Sequence, residues 1–254
     1  MKNLMIYISP TGSFDNPNDN ITGKLAGQLA KIQIENSIQL GWKKQDIMLI
    51  TNFNWQYGSI KAKFLKDFEF NDKLQQTGKI NALIKLFEKG TIKDKEIYWF
   101  HDLMTFQQEK ITEMELGFGK ADVALTDNGK KTGWDCSSIF FKKGSYNIFE
   151  KIKEIMYQDE TDEEKSLYKL TQKDKNIGKR IKKLNETYNF TPFNLKSSYK
   201  ITKKPLKVLN FGSLTGLDQP GVESVLKFYL GENKFQTAFV TQRLARIFKY
   251  HRIG

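Results

Sequence analysis

Cysteine is nearly absent from these 254 residues, and its absence excludes a good deal. The one residue, Cys136, cannot form an intramolecular disulfide framework, so a reducing cytoplasm is the expected compartment, that of a host if the source is viral. Its simplest reading is a small buried hydrophobe. Long apolar runs are missing too. The opening MKNLMIYISP has too short an apolar stretch for a signal peptide, and no window approaches the roughly 20 apolar residues of a membrane helix. No internal repeat or low-complexity linker interrupts the chain, and no break in composition precedes residue 214 or so. The expected organisation is one domain over 1–214 with a basic helical extension over 215–254. Histidine is scarce at two residues, so a histidine in a polar strand end attracts attention.

What the sequence has in excess is positive charge. The net charge is +12, and most of it falls between Lys165 and Lys207, where thirteen Lys and Arg face only Asp174 and Glu186, a local excess of +11. Such a segment suits phosphate backbones, anionic lipid surfaces or acidic proteins, and its bland reading is a lysine-rich composition with solvated faces.

Short apolar runs alternate with amphipathic stretches through the first 130 residues, the pattern of strands and helices taking turns around a mainly parallel sheet. Leu4 to Ser9, Asp46 to Thr51, Glu96 to Met104, Ala121 to Asp127, Ser137 to Lys143 and Lys207 to Ser213 read as strands. Leu25, Leu29 and Ile32 recur at helical spacing in a helix capped from Asn20 or Thr22, and Ile80, Leu83, Ile84 and Phe87 mark a second. A helix after Ser145 carries Ile148, Phe149, Ile152 and Ile155. A basic helix is expected beyond the acidic run at 159–164, with Ile177, Ile181 and Leu184 on its apolar face and Lys175, Lys179, Lys182 and Lys183 pointing away. Pro220 opens a helix with Val222, Val225, Leu226 and Tyr229, and Phe239, Val240, Leu244 and Ile247 mark a terminal one.

Ligands of open α/β sheets bind beyond the carboxyl ends of the strands. Here those positions are polar: Ser9-Pro10-Thr11, then Thr51-Asn52-Phe53-Asn54, then His101-Asp102. An acid closing a core strand must be solvated, paired or metal-bound, which singles out Asp102. His101 reads either as a ligand to nucleotide or metal or as a half-buried strand-end residue.

The order of these elements resembles the glycosyltransferase-A fold: strand, helix, strand, a helix starting with Lys79 and Asn81, then a hydrophobic strand running into Asp102-Leu103-Met104. WDCSSIFFKK, TDEE, LNETYNF and KVLNF continue the likeness to about residue 215. The resemblance implies a Rossmann-like mixed, mainly parallel sheet flanked by helices, and an enzyme that moves a sugar from a nucleotide sugar, a UDP-sugar for preference, to an acceptor hydroxyl. It implies that Ser9, Pro10, Thr11, Thr51, Asn52, Asn54, Lys79, Asn81, His101, Asp102 and Met104 line the donor, and that Asp162 and Glu163 face the sugar as base, nucleophile or positioning groups. Trp134, Asp135, Ser137 and Ser138 are then expected in the sugar and acceptor pocket.

Two positions depart from the pattern. In that fold an Asp-x-Asp motif and a late histidine hold a divalent metal on the diphosphate, and here they are Met104 and Asn210. A thioether is a poor partner for Mg²⁺ or Mn²⁺, leaving Asp102 and Asn210 as a weakened metal pair, or Lys79 and its neighbours to neutralise the diphosphate without metal. For the acceptor, Lys179, Lys182 and Lys183 with interleaved Tyr188, Phe190, Phe193 and Tyr199 point to nucleic acid. Arg243, Arg246, Lys249 and Arg252 would extend that groove. Together with the resemblance, which extends to phage and viral DNA glycosyltransferases, this charge implies a hydroxymethylated pyrimidine in phage DNA as the acceptor. A surface glycan or lipid, and a disabled nucleic-acid-binding module, are the alternatives.

Overall fold

The first strand, β1 (Lys2–Tyr7), sends alternate side chains to two cores. Met5 and Tyr7 join one cluster, Leu4 and Ile6 the other, as a strand buried on both faces requires. The computed structural model describes residues 1–15, 23–66, 68, 77–127, 133–191, 202–211 and 240–251. The remaining strands are β2 (Ile47–Thr51), β3 (Gln56–Tyr57), β4 (Ile60–Lys61), β5 (Lys63–Phe64), β6 (Tyr98–His101), β7 (Thr105–Gln107), β8 (Val123–Thr126), β9 (Asp135–Phe141), β10 (Ile181–Leu184) and β11 (Val208–Asn210). The helices are α1 (Gly23–Gln39), α2 (Gly78–Glu88), α3 (Glu113–Leu116), α4 (Tyr146–Asp159), α5 (Glu163–Lys173), α6 (Lys175–Gly178) and α7 (Gln242–Tyr250).

Seven strands form one sheet in the order β10-β8-β9-β6-β1-β2-β5. All neighbours run parallel except around β9, which is antiparallel to both β6 and β8. The mixed, mainly parallel sheet flanked by helices is therefore the one expected. On one face lie α1, α7 and a two-stranded ribbon of β7 with β11; on the other lie α2, α4 and α5. Because β9 runs backwards, its first residue, Asp135, arrives at the same edge as the carboxyl ends of β1, β2, β6, β8 and β10.

One expectation fails in the basic segment. There is no helix through Ile181 and Leu184. The chain forms α5 earlier, with Leu167 and Leu170 buried, restarts briefly as α6 and then enters β10 beside β8. Asp174 ends one helix and caps the next, accepting from the backbone N–H of Asn176 and Ile177. Arg180 then anchors the strand's start, with Nε 2.7 Å from Asp122 Oδ2 and Nη2 donating to Gly144 O at 2.6 Å. The physical reason is the open edge of β8: Ile181 and Leu184 are buried equally well by a strand there, and its ladder satisfies backbone groups that a solvated helix would satisfy alone.

The expected boundary near 214 and the helix from Pro220 lie outside the described residues, as do Phe193, Tyr199 and Arg252. Of the extension, α7 packs on α1 with Leu244, Ile247 and Phe248 buried. Arg246 and Lys249 are exposed, whereas Arg243 turns inward, donating to Gln108 O at 2.5 Å and to Asn36 Oδ1 at 3.2 Å. It serves the packing of α7 rather than a basic groove. Leu244→Ala should cost about 2–5 kcal/mol of unfolding free energy in urea titrations, the range for emptying a buried leucine site; wild-type stability would mean that α7 is not docked on the core.

Candidate active site

The carboxyl edge of the sheet gathers four acids and one ammonium. Lys79, in the first turn of α2, extends its Nζ over the Phe100 ring to 3.5 Å from Asp102 Oδ2, and pairs closely with Glu163 Oε1. Asp102 follows β6, Glu163 opens α5, and Asp135 opens β9, so three neighbouring elements deliver the charges. Glu164 accepts the backbone N–H of Cys136 at 3.3 Å and lies close enough to Asp135 and Glu163 to feel both.

A second network forms the floor. Ser137 Oγ is 2.5 Å from Asp135 Oδ1 and receives Nδ2 of Asn210 at 2.6 Å and of Asn189 at 2.9 Å. Asn210 Nδ2 also lies 3.4 Å from Asp135 Oδ2. Asp102 N–H donates to Ser137 O at 3.0 Å and ties this floor to the lysine cluster. Asn210 arrives there because β11 pairs with β7, setting Asn210 opposite Thr105.

Crowding of like charges moves the proton affinities. Burial raises the Glu164 carboxyl to about 7, with Asp135 and Glu163 adding to it. Asp102 keeps 40 % of its side-chain surface open, yet its low-polarity corner and the neighbouring Glu163 and Asp135 outweigh Lys79 and lift it to about 6. Burial alone would lower Lys79, but Asp102 and Glu163 reverse this and hold it above its ordinary value, so it stays charged. Burial pushes the Cys136 thiol up, leaving it an inert core group.

Several expected residues lie elsewhere or are already engaged. His101 is fully buried against Trp99, ring centroids 4.1 Å apart, with Nε2 2.7 Å from Asn3 Oδ1 and Nδ1 3.1 Å from Asp102 O. Burial depresses it to about 4, so it is a neutral core residue and not a ligand. Thr51 is buried and donates to Phe53 O at 2.6 Å. Ser138 faces the opposite core, accepting from Trp99 Nε1 at 2.9 Å and donating to Tyr188 O at 3.1 Å. Asp162 caps α5, accepting from Lys165 N–H at 2.8 Å and pairing with Lys165 Nζ at 2.6 Å.

Other residues stay at the edge. Asn52 latches β2 to β1, donating to Ser9 O at 2.6 Å and accepting from Ser9 N–H at 3.0 Å. Ser9 Oγ meets Thr11 Oγ1 at 2.9 Å, and Pro10, Thr11 and Asn54 are exposed. Asn81 bonds Thr77 and Tyr157, and half-buried Trp134 donates to Thr171 Oγ1 at 3.4 Å. The three acceptor lysines are dispersed: Lys179 is exposed, Lys182 reaches Gly117 O, and Lys183 pairs with Asp127. Glu164 and Asn189 were not singled out, although both lie within quoted runs. The available cue was the cap: an aspartate before a helical run is taken up by it, which leaves Glu163 and Glu164 as the free acids of the run.

The metal of the resembled family does not fit these residues. Mg²⁺ and Mn²⁺ need several hard oxygen donors. The Met104 side chain is 4 % exposed within the core cluster of Leu103, Phe106 and Phe211, and Asn210 turns its NH₂ toward Asp135 and Ser137. Among the described residues no group of three His, Cys, Asp or Glu is disposed to hold a metal ion.

No protein-family model and no curated protein matches this sequence. Solved structures do match. The galactosyltransferase LgtC, determined in complex with donor and acceptor sugar analogs, is 12 % identical, with a TM-score of 0.57 over 98 % of this chain and 96 % of its own. A glycosyltransferase involved in glycosylation of the major capsid of PBCV-1 is 9 % identical, with a TM-score of 0.54 over 83 % of this chain and 93 % of its own. GlyE of Streptococcus pneumoniae TIGR4 is 11 % identical, with a TM-score of 0.53 over 100 % of this chain and 60 % of its own. At such identities the likeness is one of architecture: the fold is of the glycosyltransferase-A type.

Two measurements probe this corner. Glu164 binds its proton more tightly folded than unfolded, so its contribution to stability is complete below about pH 4.5 and is lost as pH rises through about 7. Glu164→Gln should therefore raise the melting temperature at pH 8 by about 2–4 °C, on the order of 1 kcal/mol, and change it little at pH 4. Asp162→Ala should cost about 1 kcal/mol in thermal unfolding while Asp162→Asn costs much less, as for a helix cap.

Proposed function

We propose that this chain transfers a sugar from a nucleoside diphosphate sugar, with a UDP-sugar the first donor to try, to a hydroxyl of a carbohydrate acceptor. The observation that carries the reading is the Lys79, Asp102 and Glu163 cluster at the carboxyl edge of a glycosyltransferase-A sheet, where an anionic ligand meets a fixed cation. Sugar transfer needs stabilisation of a departing diphosphate, a carboxylate near the anomeric carbon, and a group to take the acceptor proton. Lys79 supplies the first. Glu163, held by Lys79, and Asp135, held by Ser137, supply the second. Glu164 and Asp102, with proton affinities near neutrality, supply the third. In the reaction the acceptor oxygen bonds to the anomeric carbon, the bond from that carbon to the phosphate oxygen breaks, the nucleoside diphosphate leaves, and the acceptor proton passes to a carboxylate.

A carbohydrate acceptor is favoured by the half-buried Trp134 next to Asp135 in sequence, an indole whose exposed part offers a face to a sugar ring. Part of the DNA expectation was a basic helix with Lys179, Lys182 and Lys183 on its outer face. With Lys182 and Lys183 on an edge strand, engaged by Gly117 and Asp127, that face does not form. Labelled UDP-sugars offered with glycan, lipid and hydroxymethylated DNA acceptors separate these substrates. Transfer to a glycan is expected, and Asp102→Asn should cut it at least about tenfold, equivalent to about 1.4 kcal/mol of transition-state stabilisation. Near wild-type transfer in that folded variant would place Asp102 outside the chemistry; transfer to DNA alone would overturn the acceptor.

A further inference from the structure

The residues that would build a divalent metal centre in this fold have each been given another task, and a side chain with a permanent charge occupies the same corner. Met104 lies in the turn between β6 and β7, where its carbonyl accepts Phe211 N–H at 3.0 Å and its thioether fills the core. Turning it outward would empty that packing and still offer only sulfur. Asn210, on β11, is hydrogen-bonded through Nδ2 into the Ser137 and Asp135 floor, presenting donors where a cation needs acceptors. Asp102 alone remains, and its nearest cation is Lys79.

We propose that the Lys79 ammonium takes the place of the divalent ion, so that the site binds the donor's diphosphate without metal. This rests on the donor reading above. Lys79 is fixed from three sides, by Asp102, Glu163 and the Phe100 ring. An ammonium has three N–H donors, and two carboxylates use two of them, leaving one for a phosphate oxygen. The side chain keeps 18 % of its surface open, and Asp102, on the solvent side, keeps 40 %. The α2 N-terminus adds to the attraction: Lys79 stands in its first turn, which has no acidic residue, so the positive end of the helix faces the same space. Asp102 here positions the lysine as it would a metal ion, and the surrounding carboxylates keep the ammonium charged.

Uridine, guanosine, adenosine and cytidine diphosphates titrated calorimetrically into the protein, in EDTA and in Mn²⁺, test this. At least one should bind, with affinities in the two buffers agreeing within about twofold. Lys79→Ala should weaken binding at least about tenfold in both buffers, with Lys79→Arg recovering most of it. Removing Lys79 leaves carboxylates unpaired and can unfold the site, so the double variant Lys79→Met with Glu163→Gln should show the same loss while melting as a folded protein. Binding that needs Mn²⁺, or tightens about tenfold with it, overturns the inference and leaves the donor reading standing. So does wild-type affinity in a folded variant without Lys79. Failure of all four nucleotides to bind in both buffers overturns the donor reading and the inference together.

Discussion

Among the described residues, four carboxyl groups share one corner of this molecule with the Lys79 ammonium, and that crowding sets the properties of the site. Lys79 joins the start of α2 to the residue that follows β6 and to the start of α5. Burial is the main cause of the raised proton affinities there, near 6 in Asp102 and near 7 in Glu164, and the neighbouring carboxylates add to it. Groups with proton affinities displaced in this way cluster at functional sites. The structural alternative, a hydrophobic corner of equal volume, would be the more stable one.

The reversed strand β9 makes that corner possible. In a wholly parallel sheet the residues starting a strand would lie at the far edge, about 20 Å from the carboxyl ends for strands of this length. Running backwards between β6 and β8, β9 brings Asp135, Cys136 and Ser137 beside Asp102. The ribbon of β7 and β11 then closes the floor from the other face, since its register fixes Asn210 over Ser137.

Much of this was legible in sequence where local periodicity decides structure. The helical spacing in α2 and the buried apolar run of β1 reappear closely, and Lys79 and Asp102 follow from their places at element ends. What was not legible depends on partners far away in the chain. Ile181 and Leu184 suit a helix face or a strand equally, and only the open edge of β8, some 58 residues earlier, chooses the strand. His101 reads as a ligand until Asn3, 98 residues earlier, is found accepting from it. Asp162 and Glu163 were indistinguishable as acids, yet the helix start separates them: Asp162 is taken up by the cap, and Glu163 pairs with Lys79.

The docking of α7 against α1 bears on how the chain is made. His251 O accepts from Gln28, 223 residues away, and Arg243 reaches Asn36 across 207. During synthesis the outer face of α1 stays uncovered until the last dozen described residues have left the ribosome, long after the sheet beneath it is available to fold. Contacts so distant in sequence form late and slowly. The apolar strip on α1 is therefore among the last surfaces of the described fold to gain its cover.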